Sequence, residues 1–255
     1  MTDPTRRFSD RVDAYVKYRP SYPAAVLEIL RARCGLTQTT SVADIGSGTG
    51  LLTGLFLNNG NPVFAVEPNP EMRAAGERLL AHHVGFTSVP GTAEATTLPD
   101  HGIDLVTAGQ AFHWFDRAAA RVEFARILRP GGWVALIWNE RETETTPFLR
   151  DYETLLHTYA TDYAQVDHRQ IDDAVLVDFF SPHPLLTETL TNRQVFDLDG
   201  VSGRLLSSSY APAAGHPNHE PMLAELARLF STHAVDGRVA FTYTTKIYLG
   251  RLSSA

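Results

Sequence analysis

Nine residues constrain the fold of this chain more than any others: Val42-Ala43-Asp44-Ile45-Gly46-Ser47-Gly48-Thr49-Gly50. The apolar run from Ser41 to Ile45 predicts a buried strand. Glycines then occupy every second position, and Leu51 onward predicts a helix. Strand, glycine turn and helix in succession are how an open α/β sheet builds a nucleotide site. Glycine admits positive φ and lets a ligand approach where a Cβ would collide. The helix beginning near Leu51 directs unpaired N–H groups and a partial positive charge at whatever lies over the turn.

The kind of nucleotide follows from the neighbours of those glycines. A dinucleotide site wants G-x-G-x-x-G, but here Leu51 holds the last place, and no lysine follows as a phosphate-cradling loop requires. Asp44, just before the first glycine, would repel a pyrophosphate and suits a ligand carrying an ammonium group. Glu67 ends the next predicted strand (Asn61 to Glu67). It lies about 20 residues beyond the first glycine, where an acid accepts hydrogen bonds from ribose hydroxyls. Adenosine joined to a zwitterionic amino acid describes S-adenosylmethionine.

The stretch Asp44 to Gly50 resembles the glycine motif of the Rossmann-like S-adenosylmethionine-dependent methyltransferases. Three further segments fit in order and spacing: Glu67-Pro68-Asn69, Gly91-Thr92-Ala93-Glu94 with Leu98-Pro99, and Leu128-Arg129-Pro130-Gly131-Gly132. With the opening segment and Gln110-Ala111-Phe112-His113-Trp114-Phe115, the chain is most similar to the small-molecule methyltransferases that include trans-aconitate methyltransferase-like proteins. The similarity covers residues 8 to 142 well and the remainder loosely.

The resemblance implies a Rossmann-like α/β fold: a seven-stranded, mostly parallel sheet with an antiparallel C-terminal strand and helices on both faces. It implies a single domain over 1–255, with an N-terminal helical lid (1–35), a cofactor-binding core (36–142), an inserted helical cap (143–183) and C-terminal strands and helix (184–255). The cofactor would be S-adenosyl-L-methionine, leaving as S-adenosyl-L-homocysteine. Gly46, Ser47, Gly48 and Gly50 would form its cradle with Asp44, and Glu67 with Pro68 would meet the ribose. Thr92, Ala93 and Glu94 would border the adenine, although many members carry Asp where this chain has Thr92. Arg19 would pair the methionine carboxylate under a lid aromatic, Tyr18 or Tyr22. Gln110 and Trp114 would border the reactive methyl. His113 is either an acceptor contact or general base, or else a structural hydrogen-bonding group, and Glu140 is a further candidate to touch the acceptor.

Charge and composition narrow the partners. Lys and Arg number 22 against 29 Asp and Glu, for a net charge of −7. Polyanion binding depends on neutralising phosphates, so a small-molecule acceptor is expected rather than nucleic acid. The single Cys34 cannot form an intramolecular disulfide. No apolar run approaches the ~20 residues of a membrane span, so the expectation is a cytoplasmic monomer or homodimer without a membrane partner. His157, His168 and His183 are too scattered for a zinc site, and no metal is expected. Two other classes stay open: a nicotinamide-dependent oxidoreductase, disfavoured by Leu51, and a binding protein of the same fold without turnover.

Periodicity outlines the rest. Helices are expected over 8–18, from Pro23 to Cys34 with Gly35 as stop, from Pro70 to about His82, from Arg117 to Leu128, and from Glu220 to His233. Leu149, Tyr152, Leu155, Leu156 and Tyr159 follow a helical period. Strands are expected at Phe86–Val89, Ile103–Ala108, Trp133–Trp138, Val195–Leu198 and Arg238–Leu249. Val201–Leu206 reads as a short turn or helix, and the resemblance implies that Ser209 and Tyr210 face the pocket.

Overall fold

The computed structural model describes residues 17–161, 163 and 172–253. Most of the helix expected over 8–18, and His168, lie outside the described residues.

Five parallel strands form most of the sheet: β1 (Val42–Ile45), β2 (Val63–Val66), β3 (Phe86–Val89), β4 (Ile103–Gly109) and β5 (Leu128–Arg141). Two more, β6 (Leu186–Phe196) and β7 (Val239–Gly250), complete it in the order β3-β2-β1-β4-β5-β7-β6. β7 runs antiparallel to both its neighbours. The strand order reverses beside β1, between β1 and β4, and in open α/β sheets ligands bind at such a switch point, beyond the strands' carboxyl ends.

The helices begin and end on local signals. α1 (Ala25–Cys34) stops at Gly35, whose φ of +67° is left-handed. α2 (Leu51–Asn58) springs directly from the glycine turn. α3 (Pro70–Leu80) starts with the Asn69 side chain accepting the Met72 N–H at 2.9 Å, Pro70 in its first turn and Glu71 against its dipole. α4 (Arg117–Ile127) is capped by Asp116, which accepts from the Ala118 and Ala119 N–H groups. α5 (Pro147–Tyr159) and α7 (Leu198–Leu206) are capped by Thr146 and Asp197. Two further helices are α6 (Asp173–Phe180) and α8 (His219–His233). None is long and apolar enough to cross a membrane.

Alternation along the central strands divides the core. From β5, Val134, Leu136 and Trp138 face one layer with Phe124 of α4 and Phe179 and Phe180 of α6. Ala135 and Ile137 face the other, with Leu30 of α1 and Phe56 of α2. A third cluster joins α5, α7 and α8 to one end of β7, through Tyr152, Leu156, Leu226 and Phe241. Thus α6, expected within a cap, is packed on the sheet through two phenylalanines.

Three boundaries differ from the sequence reading. β5 begins at Leu128 and continues through Arg129-Pro130-Gly131-Gly132 to Arg141, and β7 supports its extended far end from Val134 to Arg141. β6 begins at Leu186 instead of Val195, because its half-buried alternate positions include Glu188, Asn192 and Gln194, which carry no apolar signal. Residue 198 opens helix α7 instead of closing that strand.

Candidate functional site

A cavity of about 320 Å³ lies beyond the carboxyl ends of β1, β2, β4 and β5, bounded by the segment around Arg19–Tyr22 and by Ser209 and Tyr210 after α7.

Its floor is the glycine turn. Gly46, Gly48 and Gly50 all have positive φ, at 67°, 58° and 89°. A Cβ on Gly46 would lie 2.7 Å from the Ala111 Cβ, so the turn and the β4 loop touch because that side chain is absent. The N–H groups of Gly46 and Ser47 both donate to the Val66 carbonyl, tying the turn to the end of β2. Gly46 and Gly48 line the cavity, whereas Ser47 and Gly50 line the back of the turn, towards α3. Leu51, where a dinucleotide fingerprint would have its third glycine, also faces the cavity.

Glu67 stands at the tip of β2, 7% exposed. Its two carboxylate oxygens accept from the Gly48 N–H and the Asn69 N–H, each at 2.8 Å. Burial pushes its pKa up, against the pull of those two amides and of Arg73. Each oxygen has a further lone pair, so the group can still accept hydroxyl donors from a ligand. Pro68 borders the cavity beside it.

Asp44 has a different place from the one expected. It shares strand parity with Val42, towards α2, and is buried at 1% exposure. One oxygen accepts from the Thr53 hydroxyl of α2 at 2.6 Å and the other from Thr107 of β4 at 3.0 Å. The carboxylate therefore sits beneath the turn and does not line the cavity. Burial pushes its pKa up to about 6, with the two threonine hydroxyls opposing.

The loop Thr92–Ala93–Glu94 forms the adjoining wall. Thr92 and Ala95 bond each other's backbone. The Glu94 carboxylate accepts the Asp116 N–H at 2.9 Å, and Glu123 of α4 accepts both the N–H and the hydroxyl of Thr96. Helix α4 thereby holds the loop in position.

At the end of β4, Gln110 has φ +56°, which a side chain seldom adopts and which costs roughly 1–3 kcal/mol. Its N–H donates to Ile137 and its Nε2 to the Asn139 carbonyl, while its Oε1 is buried with no hydrogen-bond partner among the described residues. Such strain persists where surrounding structure enforces it, commonly at functional sites. The short turn Phe112–Trp114 then sends His113 and Trp114 to the cavity, their ring centroids 4.6 Å apart, while Phe112 is fully buried. No three His, Cys, Asp or Glu residues among those described are grouped to hold a metal.

The upper boundary is pinned by polar side chains of β5 and β6. Gln194 donates to the carbonyls of Tyr18 and Arg19, and Asn192 and Asn139 both donate to Ser21. Arg19 reaches the cavity and also donates to the Ser207 carbonyl at 3.2 Å. The Tyr18 ring lies over Gly203 of α7, in the space a Cβ would fill, and not on the cavity wall. Tyr22 does line it, its hydroxyl close against Gly109.

Sequence reasoning missed the far wall. Arg141 ends β5 and Arg204 lies on α7, with Tyr163 and Tyr243 beside them. Arg141 pairs with Glu153 of α5 and donates to the Tyr163 hydroxyl at 3.0 Å. Arg204 donates to the Ser208 hydroxyl at 3.0 Å and to Tyr243 at 3.4 Å. Around Tyr210, burial alone would raise the phenol, but Arg204, Arg141 and Arg19 outweigh it and hold its pKa below the usual value. Glu140 pairs with Lys246 at 2.8 Å and does not line the cavity; strand parity gives that place to Asn139 and Arg141. The available signal was the strand-end Asn139-Glu140-Arg141 itself, whereas nothing local marked Arg204.

Residues 43–136 match the family model described as "Methyltransferase domain". An uncharacterised methyltransferase of Mycobacterium tuberculosis is 40% identical over 140 residues, 55% of each chain. The chain thus spans about half the length of the curated relatives it matches in this way. A malonyl-[acyl-carrier protein] O-methyltransferase of Marinomonas is 25% identical over 228 residues, 86% of this chain and 84% of the relative. A solved structure from Anaeromyxobacter dehalogenans, assigned to the type II methyltransferases, superposes with a TM-score of 0.71 at 22% identity, over 92% of this chain and 98% of the other. Residues 43–136 are thus similar to methyltransferase domains, and the seven-stranded fold is that of the superposed structure.

Proposed function

We propose that this chain, whose residues 43–136 match a methyltransferase domain, transfers a methyl group from S-adenosylmethionine to a small-molecule acceptor. The observation that carries the reading is Glu67, a buried carboxylate that braces the glycine turn and borders the cavity at once. The residues present fit the cofactor. The positive-φ turn presents Gly46 and Gly48 to the cavity without side chains, Glu67 keeps lone pairs for ribose hydroxyls, and the loop over Thr92, Ala93 and Glu94 offers backbone and side-chain groups to an adenine edge. Leu51 occupies the place where a dinucleotide would need a glycine, which favours this cofactor over a nicotinamide one.

The bound cofactor supplies a sulfonium-activated methyl, open to in-line displacement by the acceptor. The chain's own residues then have mainly to orient and enclose, and orientation can contribute about 7–11 kcal/mol. Arg19 would pair the methionine carboxylate, Gln110 and Trp114 would border the reacting region, and the Trp114 face would favour a cation. Asp44 acts from beneath the turn, through its charge and without contact. His113 touches the acceptor, and takes its proton where the acceptor has one to lose.

Calorimetric titration tests the cofactor: S-adenosylhomocysteine binds and NAD does not. Labelled-methyl transfer to a panel of small metabolites tests turnover, and no transfer to any of them would reduce the protein to a binding module.

A further inference from the structure

The far wall carries charge that the residues just described leave unanswered. Arg204 is 5% exposed, and its hydrogen bonds go to two neutral hydroxyls, those of Ser208 and Tyr243. Among the described residues no carboxylate pairs with it. Beside it, Arg141 spends one nitrogen on Glu153 and Tyr163, while its Nη1 is buried with no hydrogen-bond partner among the described residues. Both side chains face the cavity. A buried guanidinium without a counter-ion is costly, and its planar fork matches a carboxylate or phosphate.

We propose that Arg204, assisted by Arg141, anchors an anionic group of the acceptor, and that this group keeps its charge through the reaction. The inference rests on the methyltransferase reading for the word acceptor, though not for the anion site itself. The cofactor's own carboxylate is the competing occupant. Arg19, Arg141 and Arg204 all act on Tyr210, so the choice between the two occupants falls to the titration of S-adenosylhomocysteine below. Arg19 is the guanidinium at the segment above the cofactor.

Retention of the charge follows from balance. In the transfer an acceptor lone pair bonds the methyl carbon, and the sulfur keeps the electron pair of the broken bond. A carboxylate that accepted the methyl would become a neutral ester and strip Arg204 of its partner inside the protein. An anchoring anion and a separate methylated atom leave Arg204 paired before and after.

The experiment has two stages on the full chain. S-adenosylhomocysteine is first titrated into wild type and Arg204→Met. The saturated complexes are then titrated with succinate, monomethyl succinate, dimethyl succinate and inorganic phosphate. Succinate or phosphate binds, and the tighter of the two identifies the anchoring group as carboxylate or phosphate. Monomethyl succinate stays within about threefold of succinate, while the dimethyl ester and the Arg204→Met variant each weaken binding about tenfold or more. The affinity of Arg204→Met for S-adenosylhomocysteine stays within about twofold of wild type. A loss there of about tenfold would instead give Arg204 to the cofactor and overturn the inference. Equal binding of the dimethyl ester, or no binding of any anion, overturns it too. If S-adenosylhomocysteine fails to bind wild type while the anions bind, the methyltransferase reading falls and the anion site stands. Should Arg204→Met not fold, Arg141→Met serves as the second variant, with the same direction of effect.

Discussion

The carboxylate of Glu67 closes on the backbone of Gly48 across 19 residues of sequence, its Oε2 accepting the Gly48 N–H at 2.8 Å. With Oε1 on the Asn69 N–H, one side chain fixes the glycine turn of β1 and the first turn of α3 together. Preorganisation of the cavity floor therefore depends on the same carboxylate that we assign to the ribose.

Glu67→Ala accordingly loses on both counts. S-adenosylhomocysteine affinity should fall by about 1.5–3 kcal/mol, measured by calorimetry. Glu67→Gln should restore it only in part, because an amide has one accepting oxygen where two N–H donors need acceptors. Unchanged affinity in the alanine variant would remove Glu67 from the site.

Asp44 makes stability depend on pH in an unusual direction. Its carboxyl is pushed up to about 6 by burial, against 3.8 for the free group. The folded state thus holds this proton more tightly than the unfolded chain does. Its contribution is fully present below about pH 4 and is lost as pH rises through about 6. Asp44→Asn should therefore be more stable than wild type at neutral pH by about 1–3 kcal/mol, with the gap closing below about pH 4. Urea denaturation across that range checks it; a gap independent of pH would refute the raised value.

Glu123 behaves oppositely. Its hydrogen bonds from Arg126 come first among the causes, with those from Thr96, holding its pKa down at about 2 against burial. The stabilisation is present above about pH 4.5 and disappears as pH falls through about 2. Glu123→Gln should cost about 1–3 kcal/mol at neutral pH. It should also weaken S-adenosylhomocysteine binding, because Thr96, beside the loop over Thr92 to Glu94, then bonds a neutral amide oxygen that Arg126 no longer pairs as a carboxylate.

His113→Ala separates chemistry from binding. With an acceptor identified, turnover should fall by about 10²-fold or more if His113 takes a proton, while S-adenosylhomocysteine affinity changes by no more than about twofold. Unaltered turnover would leave His113 a wall residue only.

Much of the cavity's side at β1, β2 and β4 could be read along the chain because its signals are local. Three glycines at alternate positions, a carboxylate at the next strand end and a capped helix after it are each specified within a few residues. The loop at Thr92 and the segment from Gln110 to Trp114 likewise followed strand ends that periodicity located. Asp44 shows the limit of that reading. Its place in the motif was clear, but strand parity, set by the packing of α2 on β1, turned it beneath the turn towards Thr53 and Thr107.

The far wall was decided by tertiary structure. β6 escaped recognition because its half-buried positions carry Asn192 and Gln194, polar groups whose use is to hold the backbone of Tyr18, Arg19 and Ser21. Arg141 and Arg204 are 63 positions apart in sequence and meet at one wall only when β5 and β7 pair and α7 folds over them. Hydrophobic alternation and glycine turns are short-range properties that a sequence displays directly. The convergence of charged side chains from separate elements is a long-range one, and it exists only after the sheet has closed.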